Sequence, residues 1–178
     1  MSESVSMVNR VANSGLITID LEDFYPAEEL IELDIKQFLF KELIIKELDF
    51  RKALQEYNWS QYDGKILCVF CSTDAIIPTW AYMLIARYTH GHVVNLFWGE
   101  ASSALIQYFD FVIKSKEWSQ YQGSKVVIKG CSHKPVPASA YQSLTSILMP
   151  ICNSIMYGEP CSTVPIYKQK INSGASAT

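Results

Sequence analysis

A chain of 178 residues that is 49% hydrophobic and 12% aromatic has the length of one domain and enough apolar surface for a sizeable core. A net charge of −3 with no basic run excludes a dedicated nucleic-acid-binding surface, and the longest apolar stretches are far short of a bilayer span. The start, Met1-Ser2-Glu3-Ser4, lacks the basic and apolar regions of a secretory signal, so the expected setting is cytoplasmic. There, five cysteines are expected to be reduced, metal-bound or catalytic instead of disulfide-paired.

The polar segment 1–14 and the small, polar tail 169–178 read as flexible ends. Between them, 15–168 reads as a single α/β domain. Leu16 to Leu21 is β-branched and apolar and predicts a strand, which Pro26 closes off. Asp34 is placed to cap a short helix carrying Ile35, Phe38 and Leu39, whereas Leu43-Ile44-Ile45 fits either a strand or a helix. Asp49 to Tyr57 predicts a helix with Phe50, Ala53, Leu54 and Tyr57 on one face.

A turn over Trp59 to Gly64 leads into Lys65 to Phe70, a run apolar on both faces that suits a central strand covered by helices. Cys71-Ser72-Thr73-Asp74 leaves that strand, and Pro78 opens a helix to about Tyr88. Val93 to Trp98 predicts another central strand. Ala101 to Lys116 predicts a helix with an apolar stripe of Leu105, Tyr108, Phe109, Val112 and Ile113. Lys125 to Lys129 is the next strand, followed by Cys131-Ser132-His133-Lys134. A helix is then predicted from Ser139 to Tyr157, broken at Pro150 and ended by Gly158. Cys161-Ser162 and a short extended Ile166-Tyr167 complete the chain.

Two stretches share one pattern. Trp59-Ser60-Gln61-Tyr62, Gly64, an apolar run, Cys71-Ser72, Pro78 and Tyr82 recur as Trp118-Ser119-Gln120-Tyr121, Gly123, an apolar run, Cys131-Ser132, Pro137 and Tyr141. The reading is an internal repeat over 59–82 and 118–141. Alternating strands and helices predict an α/β fold: a parallel or mixed sheet with helices packed on it and right-handed crossovers. Both cysteines then follow the carboxyl ends of strands, the edge where open α/β sheets bind ligands.

If the two strands share a sheet, their thiols are expected along one edge, about 10 Å apart at the backbone when one strand intervenes. Cys161, a third Cys-Ser step, joins them only if the Pro150 break or the loop from Gly158 folds it back. Three thiolates at Cys71, Cys131 and Cys161, with His133, Asp74 or Glu100 nearby, would suit zinc or an iron–sulfur cluster. A second chemistry uses the same loops. Ser72, Thr73, Asp74, Ser132 and His133 stand between a strand end and a helix start, where backbone N–H groups favour an anion or a thiolate, as a persulfide carrier requires.

A third reading makes the chain an interaction module whose cysteines are merely structural. Cys68 and Cys152 sit in apolar runs and are expected in the core. Asp74 also reads as a helix cap, Glu100 as a cap or a site group, Glu159 as a surface charge, and His90 and His92 as a helix-ending pair. Trp59, Trp118, Tyr62 and Tyr121 are expected to pack the turns, with Tyr82 and Tyr141 aimed at the cysteine loops. A homodimer is the expected assembly.

Four segments carry a family resemblance: Gly15 to Pro26, Ala75 to Leu84, Lys129 to Ser132 with Pro135-Val136-Pro137, and Ser154 to Pro165. They resemble an uncharacterised bacterial family of unknown function, the one numbered 2480, seen mainly in Bacteroidetes. The resemblance covers about Gly15 to Lys168. It implies a neighbourhood of sulfur-mobilisation genes, and with it iron–sulfur assembly proteins as partners and a link to iron–sulfur cluster biogenesis. It supplies no catalytic residues.

Overall fold

The computed structural model describes residues 15–130 and 133–170. Segments 1–14 and 171–178, which hold most of the expected flexible ends, and the Cys131-Ser132 step lie outside the described residues. The elements run β1 (Leu16–Asp20), β2 (Leu30–Asp34), α1 (Glu47–Glu56), β3 (Ile66–Phe70), α2 (Thr79–Thr89), β4 (Asn95–Trp98), α3 (Ala101–Ser115), β5 (Lys125–Lys129), α4 (Ala138–Leu148), β6 (Ser154–Glu159) and β7 (Ser162–Lys168). This is an α/β fold. Among the described residues no helix is long and apolar enough to cross a membrane.

The chain divides into two compact units. A central unit spans Pro26–Tyr108, and a terminal unit joins Met1–Tyr25 to Phe109–Thr178. The central unit holds a parallel sheet of order β2-β3-β4, and the terminal unit a sheet of order β1-β5-β6-β7 in which only β7 runs antiparallel. The strands that lead to Cys71 and to Cys131 therefore belong to different sheets. The expected common edge is overturned: β3 has its neighbours in β2 and β4, and β5 in β1 and β6.

In the central unit, β3 is apolar on both faces because both are covered. Leu67 and Val69 pack with Phe50 and Leu54 of α1 and with Ala81 and Ile85 of α2. On the other face, Phe97 stands beside Cys68 in register and meets Tyr108 of α3 edge-on, with ring centroids 6.3 Å apart. The Trp59 turn closes this core. The Trp59 indole N–H donates to the Leu54 carbonyl at 2.8 Å, and the ring stacks on Tyr88. In the terminal unit the Trp118 indole N–H donates to the Ile113 carbonyl, also at 2.8 Å. Each indole thus satisfies a carbonyl near the end of the preceding helix.

Asp34 caps a single 3-10 turn (Ile35–Phe38) by accepting the Lys36 N–H at 3.0 Å, and Asp20 caps Leu21–Phe24 through the Glu22 N–H in the same way. Leu43-Ile44-Ile45 forms neither a helix nor a strand. Lys41 and Glu42 take positive φ, and Ile44 makes only an isolated bridge to Phe40.

The helix expected to reach Tyr157 stops at Leu148. Pro150 has no N–H for another helical turn, and the Ile151 and Cys152 N–H groups turn back onto the Leu148 carbonyl. Ser154–Glu159 is then a strand parallel to β5, and β7 returns along it. The register of β7 shifts between Ile155 and Met156, opposite Pro165.

Candidate functional site

The central unit has a cleft of about 490 Å³ at the carboxyl ends of β3 and β4, lined in part by Cys71, Thr73, Tyr82, Trp98, Glu100 and Ser103. Its location matches the edge where α/β sheets bind ligands. Cys71 is the first residue beyond β3 and is half-buried. Its Sγ lies 3.3 Å from Thr73 Oγ1. The Thr73 hydroxyl donates to the Glu42 carbonyl at 2.9 Å, so the thiol S–H is left to donate to the threonine oxygen.

The loop is fixed from β2. Ser72 donates its N–H to Asp34 Oδ1 at 3.1 Å and its hydroxyl to Oδ2. Burial raises the Asp34 pKa, but hydrogen bonds from Ser72 and from the Lys36 N–H outweigh it and hold the carboxyl below its ordinary range. A carboxyl depressed in the folded state stabilises the fold above its unfolded pKa, and that contribution is lost as pH falls through the folded value. The stability advantage of the native chain over Asp34→Asn is therefore expected to be constant above about pH 5 and to shrink between about pH 4 and pH 2. Urea unfolding at a series of pH values measures it. A gap that widens on acidification would contradict the linkage.

Beside this loop, Lys36 pairs with Glu42 at 2.9 Å. The Glu42 contact, then Asp34 and Cys71, hold the ammonium above its usual range. At the other wall, the Glu32 carboxylate accepts the Ala101 N–H at 2.7 Å and so occupies the start of α3. Glu100 does not cap that helix with its side chain. It lines the cleft and is exposed. Trp98 is 66% exposed at the rim.

The remaining candidates are dispersed. Asp74 is exposed and does not cap α2, which starts at Thr79 with Pro78 before it. Cys161 is exposed in the turn between β6 and β7, in the terminal unit, whereas Cys71 belongs to the central unit. Cys131 and Ser132 lie outside the described residues. By position, Cys131 is the second residue after β5, because Gly130 precedes it, whereas Cys71 is the first after β3. The two cysteines are thus one residue out of step relative to their strands.

His133 is exposed, and its N–H is bonded to the Glu22 carboxylate at 3.0 Å. Lys134 lies over the Tyr25 ring. Glu159 pairs with Lys129, which also pairs with Asp20. His90 is exposed, and the His92 ring is bonded to Asp63. Cys68 and Cys152 are buried, as their apolar surroundings predict. Burial pushes the Cys68 thiol up to about 11, with Glu32 adding to it, and raises Cys152 as well. Neither is a thiolate near neutral pH.

Among the described residues no three His, Cys, Asp or Glu side chains are grouped to hold a metal ion. Sequence reasoning missed Asp34 and Glu32 as supports of this site. Their partners lie 38 and 69 residues away, and no local pattern signals such pairs.

No curated protein and no solved structure matches the chain significantly. The family described as "Protein of unknown function (DUF2480)" matches residues 5–169, nearly the whole length, and the chain belongs to that family.

Proposed function

We propose that the central unit binds a small sulfur-bearing substrate or partner group in the cleft at the ends of β3 and β4, with Cys71 as the thiol that handles sulfur. The observation that carries this reading is the contrast among the thiols. Cys71 lies in the cleft, on a loop anchored by Asp34 and Thr73, while Cys68 and Cys152 are sealed in apolar packing. The co-reactant is a persulfide, R–S–SH, on a partner protein. The Cys71 thiolate, its proton released to solvent, forms a bond to the terminal sulfur. The donor S–S bond breaks, and R–S⁻ leaves. Iron–sulfur assembly proteins fit as donors or acceptors, and a reducing cytoplasmic setting suits the chemistry.

Alkylation of the native chain by iodoacetamide, followed by peptide mass mapping, tests the proposal. Cys71 is expected to react at least tenfold faster than Cys68 and Cys152, and incubation with a low-molecular-weight persulfide should add 32 mass units at Cys71 (about one sulfur atom). Equal, slow alkylation of all three would remove it.

Metal or cluster binding is the second reading. What favours it is the position of Cys161, beyond β6, the strand that neighbours β5 and with it the approach to Cys131. Zinc or iron that survives Cys71→Ala but is lost from Cys161→Ala, measured by elemental analysis, would move the function to the terminal unit.

A further inference from the structure

The terminal unit contains a cleft of about 620 Å³ between α4 and the strands β5, β6 and β7. The central unit has a counterpart in the same structural place. Ile66 and Lys125, Thr79 and Ala138, and Asn95 and Ser154 open β3 and β5, α2 and α4, and β4 and β6, each pair at one constant offset. At that offset, Ile128, Tyr141, Ile155, Met156 and Tyr157 of the large cleft correspond to Val69, Tyr82, Leu96, Phe97 and Trp98. Those five line a hollow of only about 170 Å³.

The difference lies in the walls. Where α2 carries Met83, Ala86 and Arg87, α4 carries Gln142, Thr145 and Ser146. Serine in place of Arg87 removes a long side chain from the helix wall, and Gln142 and Thr145 put polar groups where α2 has the apolar Met83 and Ala86. Opposite that wall, β7 adds Ile166, and among the described residues β4 has no strand beyond it to do the same. Ser146 returns its hydroxyl to the Gln142 carbonyl at 2.9 Å. The Gln142 amide and the Thr145 hydroxyl make no intramolecular hydrogen bond among the described residues and border the cleft. Among the described residues no Asp, Glu, Lys, Arg or His lines it.

From this geometry we propose that the α4 cleft is a second binding site, distinct from the Cys71 cleft, for a small neutral ring compound with one hydrogen-bonding group. The volume suits a drug-sized molecule. An apolar cleft without a counter-charge disfavours an ion. The Tyr141 and Tyr157 rings, edge to face at 5.7 Å, offer a flat molecule an aromatic wall. The Gln142 amide and Thr145 hydroxyl provide the donor and acceptor that orient it. An added peptide strand is a poorer occupant, because Pro165 interrupts the N–H groups of β7.

Methyl-labelled full-length chain titrated with indole and with N-methylindole tests the site. Both probes are expected to shift the Ile155, Ile166 and Thr145 methyl signals saturably, with indole binding at least threefold tighter. Gln142→Met with Thr145→Val should abolish that preference, and Ser146→Arg, which restores the α2 wall at an exposed position, should weaken both probes at least tenfold. Three results would overturn the proposal. The first is no saturable shift with either probe. The second is unchanged affinity in a folded Ser146→Arg chain and in Ala138→Trp. The third is concentration-dependent shifts of these methyls without a probe, which assign the cleft to a second copy of the chain.

Discussion

Gly130→Ala is expected to destabilise the protein by about 2–4 kcal/mol. Gly130 has φ 142°, and a Cβ there would stand 2.9 Å from Leu21 Cβ and 3.1 Å from the Leu21 nitrogen. Leu21 is fully buried and opens the 3-10 turn capped by Asp20, so the obstacle is backbone and core, with no flexible side chain to move aside. Gly64→Ala is the control. Gly64 has φ 70° with nothing within 4 Å of the added atom, and should cost only about 1 kcal/mol, the ordinary penalty for a left-handed alanine. Urea unfolding followed by circular dichroism compares the two. Equal losses would show that the approach to Leu21 relaxes freely.

Trp59→Ala is expected to cost about 3–5 kcal/mol and Trp59→Phe about 1–3 kcal/mol. The indole is buried at the end of α1, packs on Tyr57, Tyr62 and Tyr88, and donates to the Leu54 carbonyl. Alanine removes the ring and leaves a cavity in the central core. Phenylalanine fills much of the space but leaves the Leu54 carbonyl without its donor. Thermal unfolding of the three chains orders the effects. A phenylalanine variant as stable as the native chain would mean that water reaches the carbonyl in place of the indole.

Much of the framework was legible in the sequence because its causes are local. β1, β3 and β5 are apolar, β-branched runs, α1, α2 and α3 carry apolar stripes, and Asp34 caps the residues that directly follow it. The error at β6 has a local cause too. Ile151, Cys152, Ile155 and Met156 are spaced as a helical face, and nothing nearby says that Ser154–Glu159 instead pairs with β5. Pro150 gave the boundary but not the state beyond it.

The division into two sheets was not legible, since strand partners are chosen by contacts far apart in the chain. The same holds for the candidate site. That Cys71 follows a strand could be read directly. That Asp34 grips Ser72, Glu42 receives Thr73 and Glu32 holds the start of α3 depends on chain segments meeting from 31 to 69 residues away.

Pro165 also bears on how this protein meets copies of itself. Among the described residues β7 ends its sheet with one neighbour, β6, and Val164 and Ile166 are more than half exposed there, at 55% and 53%. A bare outer rim with oily residues invites fibril growth by ladder extension from molecule to molecule. A ring nitrogen that has no hydrogen to give, set mid-rim beside a register shift, breaks such a ladder after a few rungs. The chain can keep an apolar rim open for ligands and still resist polymerising through it.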